Sequence, residues 1–457
     1  MSIDPRLAAV IKAYDVRGRS PEELDDDLAA ALGVAFAEET QIAGGGTAVI
    51  GHDMRETSPI LVAAFIDGVT STGAAVIDIG LASTDLLYFA SGTWDIPGVM
   101  VTASHNPAAY NGIKLCRAGA RPIGLDTGLS AMATRADEIL KGPRPSRPID
   151  ADVTTRDALS AYAKRLHELV PIPPERRLKI VVDAGNGMAG HTAPAVLSSL
   201  NAEIVPMYFE LDGNFPNHDA NPLDASTLVD LQAAIREHGA DIGLAFDGDA
   251  DRCFVVDERG ELVTPSTITG LVAKRYLQTY PGATILHNVI TSKSVPEIVR
   301  ENGGTPVRTP VGHSLIKAEM ARTGAVFGGE HSGHFYFSEF FLADSGMIAA
   351  LHVLAALAET QGSLSDLMTS YERYAASGEI NSTVLDAAAT VQAIADAYAD
   401  NDLDRLDGLT VAAPTWWFNV RASNTEPLLR LNVEGDDETI MATVRDDVLA
   451  IIRGASA

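Results

Sequence analysis

The sequence predicts three similar α/β domains with mixed or parallel sheets, followed by a C-terminal α+β domain. Apolar runs of strand length alternate with helical segments through most of the chain. This alternation restarts after about residue 150 and again near Pro265, and the order of elements changes from about Ile380. At 457 residues the chain is also too long for one ordinary core. We therefore predict domains at 1–150, 151–258, 259–372 and 373–457.

The first domain is predicted from a helix start and three strands. The segment Ser20-Pro21-Glu22-Glu23 has the pattern of a capping box with proline at the first helical position, so we expect a helix to begin there. TAVIGHD, AAVIDIG and PGVMV have the composition of strands, and SPILVAAFIDGVTSTG that of a helix. Strands separated by helices pair in parallel. The proline-rich stretch KGPRPSRPID indicates a linker.

The later domains show similar patterns. LKIVVDA, AEIVPMYFE and DIGLAF predict strands in the second domain. ATILHNVI, TPVRTPVG and GAVFGGE predict strands in the third, with helices at IKAEMARTG and GMIAALHVLAALAET. The fourth is predicted as a strand, the helix TVQAIADAYAD, the paired strands WWFNV and LLRLNV, and the helix TIMATVRDDVLAIIRG. That last order is typical of an α+β domain.

The charge of the chain argues against several function classes. Its 34 basic and 61 acidic residues give a net charge of −27, which disfavours binding to nucleic acid or an anionic membrane. No apolar run reaches the length of about 18 residues that a transmembrane helix needs. The N-terminus lacks the basic start and unbroken apolar core of a signal peptide. We therefore expect a cytoplasmic protein, and its two cysteines agree with a reducing compartment.

The motif DGDADR is the strongest chemical signal. Asp247, Asp249 and Asp251 alternate directly after the apolar strand IGLAF, where open parallel sheets place ligands. Three hard oxygen donors on one loop suit Mg²⁺, and Arg252 beside them can pair with a phosphoryl oxygen. A solvated acidic turn and a calcium loop are the alternatives. The strand-like segments on both sides disfavour an EF-hand, although Glu258 occupies its twelfth position.

The motif TASHNP places Ser104 next to His105 on a loop that follows the strand GVMV. A serine held there can act as a nucleophile or as a phosphoryl carrier. On its own the motif is more typical of an ordinary turn with a local hydrogen bond. The sequence around Ser104 is not G-x-S-x-G, which disfavours a serine hydrolase.

Two further motifs offer groups for a phosphorylated sugar. RASNTEP lies between two strands and supplies a guanidinium, hydroxyls and an amide that suit a phosphate dianion, or else it is a hairpin turn. GGEHSGH brings polar side chains together on a glycine-rich loop after a strand, where they can bind sugar hydroxyls or form a polar turn. Three other candidate residues have ordinary structural explanations. Lys114 can be a surface lysine, Arg17 a surface arginine, and His313 a helix cap.

A dinucleotide-binding interpretation competes with these. Gly185, Gly187 and Gly190 fit G-x-G-x-x-G after the strand KIVVDA, and Glu210 ends the next strand. This pattern favours a nicotinamide-dependent oxidoreductase. It leaves the aspartate triplet, TASHNP and RASNTEP without a role, and a tight turn between strand and helix explains the same glycines.

Together YDVRG, TASHNP, DGDADR, GGEHSGH and RASNTEP resemble the motifs of the α-D-phosphohexomutase family, in its phosphomannomutase/phosphoglucomutase branch. They follow the family order and span nearly the whole chain. The resemblance implies four domains around a central cleft. It implies a Mg²⁺-dependent isomerase that interconverts hexose 1-phosphate and hexose 6-phosphate through a phosphoserine and a hexose 1,6-bisphosphate, which also acts as activator. Mannose and glucose phosphates are the expected partners, and the sequence indicates no particular oligomeric state.

The resemblance also implies roles for individual residues. Ser104 is expected to be the phosphoserine, and its phosphate to hold Mg²⁺ with Asp247, Asp249 and Asp251. The groups expected around the moving phosphoryl group are Arg252, Lys114, Tyr14, Arg17 and His105. The candidates for proton transfer or sugar contact are His313 and His334. The groups expected on sugar hydroxyls are Glu330 and Ser332, and those on the non-reacting phosphate are Arg421, Ser423, Asn424 and Thr425.

Three positions depart from the family pattern or separate its branches. Ala250 stands where the family often has glycine. Phosphomannomutases of the family commonly carry a lysine where this sequence has Ile290, and Lys293 is the candidate to replace it. His331 argues against the alternative of a phosphoglucosamine mutase, a branch that usually has glutamine there.

Overall fold

The computed structural model describes residues 4–422 and 428–454, without the side chains of His313 and Ser314. The chain divides into two compact units. Unit 1 contains the residues up to Val263 together with Gly333–Leu367. Unit 2 contains Thr264–Ser332 together with the residues from Met368 onward. The third predicted domain, 259–372, therefore contributes to both units.

Unit 1 begins with a mixed sheet and its helices. Its elements are α1 (Pro5–Val10), β1 (Val16–Arg19), α2 (Asp26–Glu39), β2 (Thr47–His52), α3 (Ser58–Ser71), β3 (Ala75–Leu81), α4 (Thr84–Trp94), β4 (Gly98–Val101), β5 (Tyr110–Arg117), β6 (Arg121–Pro122), α5 (Leu129–Ile139) and β7 (Val153–Thr155). The strand order is β1-β5-β4-β2-β3-β7, with β6 paired to β5. Strands β4, β2, β3 and β7 are parallel, while β5 is antiparallel to both β4 and β1.

A second mixed sheet follows in unit 1. Its elements are α6 (Leu159–Leu169), β8 (Leu178–Asp183), α7 (Ala189–Leu197), β9 (Ala202–Met207), α8 (Val229–His238), β10 (Ile242–Phe246), β11 (Cys253–Asp257) and β12 (Leu262–Val263). The strand order is β12-β11-β10-β8-β9. Strands β10, β8 and β9 are parallel, whereas β10 and β11 form an antiparallel hairpin. The connection of this hairpin is the DGDADR loop.

The next α/β segment begins in unit 2 with α9 (Pro265–Thr279), β13 (Thr284–Asn288), α10 (Ser294–Glu301), β14 (Thr305–Thr309), α11 (His313–Thr323) and β15 (Phe327–Gly329). Strand β13 is parallel to both β14 and β15. The chain then supplies unit 1 with β16 (Phe335–Phe337), β17 (Ala343–Asp344) and α12 (Gly346–Ala358), and α13 (Leu364–Met368) ends the segment. Strands β16 and β17 form an antiparallel hairpin.

The C-terminal part of unit 2 is an antiparallel sheet with two helices. It contains β18 (Ala375–Thr383), α14 (Ala387–Ala397), β19 (Asp402–Asp404), β20 (Leu409–Ala412), β21 (Trp416–Ala422), β22 (Leu428–Gly435) and α15 (Glu438–Gly454). The strand order is β18-β22-β21-β20-β19. Phe418 and Val420 of this sheet pack with Ile394 of α14 and Val448 of α15 in one apolar core. Because one sheet face is buried in this way, the opposite face carries the polar side chains.

The predicted fold class is confirmed, with one correction at the first long helix. Residues 21–24 form turns, and α2 begins at Asp26. The N-cap is Asp25, whose carboxylate accepts a hydrogen bond from the amide of Leu28, so the capping-box prediction at Ser20 was wrong. Among the helices in the described part of the chain, none combines the length and apolar character needed to cross a lipid bilayer.

A buried carboxylate ties three helices of unit 1 together. Asp85 of α4 is 1% exposed and accepts hydrogen bonds from Ser83, from Tyr162 of α6 and from Ser345. The two serines are the N-caps of α4 and α12. Burial raises the pKa of Asp85 to about 6, although the three hydroxyl donors oppose this. Folding therefore makes this carboxyl group easier to protonate than a solvent-exposed aspartate.

We expect Asp85→Asn to remove a pH dependence of stability. The pKa is about 6 in the folded chain and 3.8 without burial, so the group contributes full stability below pH 4, which is lost as the pH rises through 6. A difference of about two pKa units corresponds to roughly 3 kcal/mol. Relative to wild type, the variant should gain stability by up to that amount between pH 4 and pH 7. Thermal unfolding across this range measures the gain, with the exposed Asp126→Asn as control. Parallel pH profiles of variant and wild type would contradict this account.

Candidate functional site

The Ser104 loop and the aspartate loop, predicted as separate motifs, are in contact in unit 1. The first follows β4 and the second follows β10, so both lie at the C-terminal ends of strands. The Ser104 hydroxyl donates a hydrogen bond of 2.8 Å to Asp247 Oδ2. A β-carbon at position 248 would lie 2.4 Å from the carbonyl oxygen of Ser104, so only glycine fits there. The sequence DGD thus allows the two loops to touch.

The three aspartates form a buried group that fits a divalent cation. Each is at most 1% exposed, and each offers one ligand atom within 4.8 Å of the others. Asp249 Oδ1 and Asp251 Oδ1 are buried without a hydrogen-bond partner in the part of the chain that the structure describes. Buried carboxylate oxygens of this kind cost free energy unless they are paired or bind a metal. Hard oxygen donors are the ligands that Mg²⁺ prefers.

Two cations border this acidic group. Lys114 lies on β5, and its Nζ is 2.7 Å from Asp249 Oδ2 and 2.7 Å from Asp251 Oδ2. Arg252 Nε donates to Asp247 Oδ2 over 2.9 Å, and its Nη2 lies 3.4 Å from Ser104 Oγ. Burial raises the pKa of Asp247 to about 7, with Arg252 opposing it. Burial also acts to raise the pKa of Asp249, but Lys114 outweighs it and brings that pKa well below its usual range.

Two histidines lie next to this cluster in different protonation environments. His105 Nδ1 accepts a hydrogen bond from Arg252 Nη2 over 2.5 Å, and the charge of Arg252 and then burial lower the pKa of His105. His334 Nδ1 lies 3.0 Å from Asp344 Oδ2 and 3.9 Å from Asp251 Oδ1. Burial opposes protonation of His334, but Asp251 and Asp344 raise its pKa overall. His105 is thus the neutral ring, and His334 the ring that binds a proton more readily.

Arg55 was missed in the sequence although it organises the Ser104 loop. Its side chain is fully buried beside Asp53, with Nε 3.2 Å from Asp53 Oδ2. Its two terminal nitrogens donate at 2.6–2.9 Å to four backbone carbonyls, those of Ser104, Asn106, Pro107 and Tyr110. Arginine can do this because its five donors form a rigid planar fork. The signal available in the sequence was the mainly polar run DMRETS directly after strand β2.

Arg17 and Tyr14 lie at the start of the first sheet. Arg17, on β1, donates to Asn106 Oδ1 over 2.7 Å and pairs with Asp15 over 2.5 Å. Its Nε is buried without a hydrogen-bond partner among the described residues, so one donor stays available. Tyr14 precedes β1 and is half-buried. The structure therefore places Arg17 against the Ser104 loop.

Thr84 is a second residue that sequence reasoning missed. It is fully buried at the first position of α4, and its hydroxyl donates to Asp249 Oδ2 over 2.6 Å. Its amide donates to the carbonyl of Asp249 over 3.0 Å. Lys114 Nζ lies 3.5 Å from the same hydroxyl. The start of α4 thus holds the aspartate loop through both main chain and side chain.

The backbone of the aspartate loop explains two sequence features. Ala250 has φ +58°, a left-handed conformation that favours glycine, so glycine is the natural alternative at this position. A β-carbon at Gly187 would lie 2.7 Å from the carbonyl oxygen of Gly248, and the amide of Met188 donates to that oxygen. The glycine turn after β8 therefore supports the aspartate loop. This packing explains Gly187, one of the three glycines that otherwise suggest a dinucleotide site.

The sugar-loop residues Glu330 and His331 lie in unit 2. Glu330 is 1% exposed, and its Oε1 accepts hydrogen bonds from the amide of Gly312 over 3.1 Å and from Asn288 Nδ2 over 3.5 Å. His331 lies 3.3 Å from Ser266 Oγ through its Nδ1, and Ser332 is half-buried. Burial lowers the pKa of His331, with Arg421 adding to this effect.

The predicted phosphate group is described only in part. Arg421 is 7% exposed near the end of β21, opposite Arg430 of β22. Both arginines lie 3.4 Å from the carboxylate of Glu379, so this group has a net positive charge. Arg421 Nε is buried without a hydrogen-bond partner among the described residues. Ser423, Asn424 and Thr425, and the side chain of His313, lie outside the described part of the chain.

Four family models match the chain. Those for phosphoglucomutase/phosphomannomutase alpha/beta/alpha domains I, II and III match residues 8–139, 160–260 and 264–374. The model for the C-terminal domain of phosphoglucomutase/phosphomannomutase matches residues 379–451. By residue number, YDVRG and TASHNP fall in domain I, DGDADR in domain II, GGEHSGH in domain III and RASNTEP in the C-terminal domain.

Relatives and a solved structure are similar over almost the full length. Phosphohexose mutases of Xanthomonas campestris are 42% identical over 450 residues, which cover 97% of this chain and 99% of the relative. A phosphomannomutase of Escherichia coli is 40% identical, covering 97% and 98%. The crystal structure of a phosphoglucomutase/phosphomannomutase family protein from Burkholderia thailandensis superimposes with a TM-score of 0.88 at 32% identity, covering 99% and 98%. The chain therefore belongs to the phosphoglucomutase/phosphomannomutase family and is a phosphohexomutase, an isomerase that transfers a phosphoryl group within a hexose phosphate.

Proposed function

We propose that the enzyme interconverts the 1- and 6-phosphates of mannose and of glucose through a phosphorylated Ser104. The contact between the Ser104 hydroxyl and Asp247, with Arg252 beside both, carries this proposal. It places an alcohol nucleophile against a buried acidic group and two cations, which is the inventory that phosphoryl transfer needs. The names of the phosphomannomutase relatives agree with it.

The reaction consists of two transfers that mirror each other. In the first, a free hydroxyl of the sugar monophosphate attacks the phosphorus of phospho-Ser104. The bond from phosphorus to Ser104 Oγ breaks, the sugar becomes a 1,6-bisphosphate, and the proton that the sugar hydroxyl loses is returned to Ser104 Oγ, whose hydroxyl bonds to Asp247. In the second, that hydroxyl attacks the other phosphate of the bisphosphate, the bond between that phosphorus and the sugar oxygen breaks, and the sugar oxygen takes up the proton from Ser104. The same bisphosphate, when added, rephosphorylates Ser104 and so acts as the activator.

The residues around Ser104 fit distinct parts in this transfer. Arg252 and Lys114 stabilise charge on the moving phosphoryl group. His105, neutral and bonded to Arg252, orients that guanidinium. His334, held by Asp344 and with a raised pKa, accepts the proton of the attacking hydroxyl and returns it in the reverse step.

The aspartate group fits Mg²⁺ as the metal of this site. The ion would be held by the phosphate on Ser104 and by the carboxylates of Asp247, Asp249 and Asp251. Their unpaired buried oxygens and all-oxygen donor set support this assignment. When bound, Mg²⁺ supplies positive charge that neutralises the transferred phosphoryl group. The three carboxylates outnumber Lys114 and Arg252, so the site retains negative charge to attract a cation.

The residues of unit 2 fit the binding of the rest of the substrate. Arg421, with Arg430 beside it, supplies positive charge for the phosphate that is not reacting. Ser423, Asn424 and Thr425 are proposed to complete that phosphate site. Glu330 and Ser332 are proposed to bind sugar hydroxyls, and His313 to assist as a polar group at the start of α11. A carboxylate is suited to accept two hydroxyl hydrogens at once.

A coupled assay with mannose 1-phosphate and glucose 1-phosphate, each with the matching 1,6-bisphosphate added, tests the proposed function. We expect turnover of the two sugars to agree within about tenfold, because one lost hydrogen bond is worth roughly 1 kcal/mol. The same assay without Mg²⁺ should show almost no activity. Turnover of neither sugar, with turnover of glucosamine 1-phosphate instead, would contradict the proposal.

We expect Thr84→Val to weaken metal binding without unfolding the protein. Valine keeps the shape and the main-chain bond to Asp249 but removes the hydroxyl donor. Loss of a hydrogen bond to a buried charged group costs about 1.5–3 kcal/mol, which corresponds to roughly a tenfold to hundredfold rise in the Mg²⁺ concentration for half-maximal activity. Thr84→Ser should restore it, and Thr70→Val, which removes a buried hydroxyl of α3, should have no effect. Equal Mg²⁺ dependence of Thr84→Val and wild type would refute this role.

A further inference from the structure

A pocket of about 330 Å³ in unit 2 does not belong to the site described above. It lies against β13, β14, α10 and the strands β20 and β21. Neither Arg421 nor Glu330 lines it. Trp417 lines the pocket and lies on β21, four residues before Arg421. This spacing corresponds to about 13 Å along the strand. The pocket is therefore separate from the group proposed to bind the sugar phosphate.

The charge of this pocket is opposite to that of the chain. Lys293, Arg300 and Arg308 line it, and no aspartate or glutamate is among the described residues of its lining. The whole chain carries a net charge of −27, so three cations around one cavity are a local exception. Arg308 is paired with Asp404. The side chains of Lys293 and Arg300 form no ion pair among the described residues, although the main-chain amide of Lys293 donates to Glu434 Oε2 over 3.0 Å. Lys293 Nζ lies 5.4 Å from the centre of the Tyr374 ring.

A neutral hydrogen-bonding group completes the pocket. His287 lies on β13 and is 5% exposed. Burial lowers its pKa to about 4, and the nearby charges of Arg308 and Arg300 add to this effect. Its Nδ1 lies 3.2 Å from the carbonyl oxygen of Asn288, so the neutral ring donates there and leaves Nε2 as an acceptor. Thr410 adds a hydroxyl from the facing sheet.

We propose that this pocket is a second anion site, which binds a small phosphorylated metabolite through Lys293, Arg300 and Arg308. The volume accommodates a phosphate group and a small organic body, and several cations around it match a phosphate dianion. Because the lining comes from β13 and β14 on one side and from β20 and β21 on the other, the bound anion bridges two sheets of unit 2. The site also gives Lys293 a role other than replacing the family lysine at Ile290.

Pyridoxal 5′-phosphate tests this site directly, because it combines a phosphate with an aldehyde that forms an imine with a nearby lysine. After borohydride reduction of the full-length enzyme in EDTA, peptide mass spectrometry measures modification of each lysine. We expect Lys293 to be modified about tenfold faster than Lys164, whose side chain is 79% exposed. Inorganic pyrophosphate should protect Lys293 and leave Lys164 unprotected.

Variants separate this site from the other phosphate-binding groups. Arg300→Ala should reduce modification of Lys293 by about tenfold. Two control variants should leave the modification rate of Lys293 unchanged. They are Arg322→Ala, which removes an exposed arginine of α11 outside the pocket, and Arg421→Ala. Thermal unfolding checks that each variant is folded. Any one of three results would overturn the proposal. Lys293 could be modified no faster than Lys164, pyrophosphate could fail to protect Lys293, or folded Arg300→Ala could show an unchanged rate of modification.

Discussion

Replacing Ser104 with alanine should abolish mutase activity, to below about one part in 10⁴ of the wild-type rate. The Ser104 hydroxyl is the proposed carrier in both half-reactions, so its loss blocks both rather than slowing one. The protein should stay folded, because alanine keeps the β-carbon and the loop is held by carbonyl bonds to Arg55, which the substitution leaves in place. The main-chain strain also stays the same, since the φ of +50° at this position does not depend on the hydroxyl.

Intact mass spectrometry after incubation with glucose 1,6-bisphosphate should show one phosphoryl group on the wild type and none on Ser104→Ala. Ser71→Ala, which removes an exposed serine hydroxyl of α3, is the control and should retain both activity and phosphorylation. Normal turnover by Ser104→Ala would show that the phosphoryl group is carried elsewhere. A phosphorylated but inactive variant would mean that another residue is modified.

Two of the strands that the sequence predicted, β4 and β10, are buried on both faces. GVMV and IGLAF are continuous apolar runs, and every residue of β4 and β10 is buried. The strands β1 and β5 were not predicted, because VRGR and YNGIKLCR mix glycine, charged and apolar residues. Both pair antiparallel, which is why the first sheet is mixed and not purely parallel. Lys114 reaches the aspartates from one of these missed strands.

The loops of the candidate site were predictable, whereas their supports were not. Ser104 and Asp247 each follow a recognisable strand, and the chemistry of each motif is local. Thr84 and Arg55 act through contacts with residues far along the chain, at separations of 165 residues for Thr84 with Asp249 and 49 for Arg55 with Ser104. No local pattern marks such partners, since a threonine at a helix start and an arginine after a strand occur widely.

Asp249→Asn should lower turnover by about 10²–10³-fold and abolish the response to Mg²⁺. Asparagine keeps the shape of the side chain but removes one of three negative charges that would hold the ion. In the wild type, binding of Mg²⁺ to the folded chain should raise the unfolding temperature with increasing ion concentration. In the variant this shift should disappear. Without metal, the variant should be less stable than wild type, because it lacks the buried ion pair with Lys114 that lowers the pKa of Asp249.

The response of the unfolding temperature to Mg²⁺ distinguishes a metal site from an ion-pair network. If the aspartates only stabilised the fold through Lys114 and Arg252, Asp249→Asn would lower stability by about 3–5 kcal/mol with or without Mg²⁺, and Mg²⁺ would leave the unfolding temperature of the wild type unchanged. Asp257→Asn is the matched control, since Asp257 is a buried aspartate on β11 of the same sheet but outside the cluster. It should keep the full Mg²⁺-dependent rise in unfolding temperature. A wild-type enzyme that runs at full rate in EDTA would settle the question against the metal.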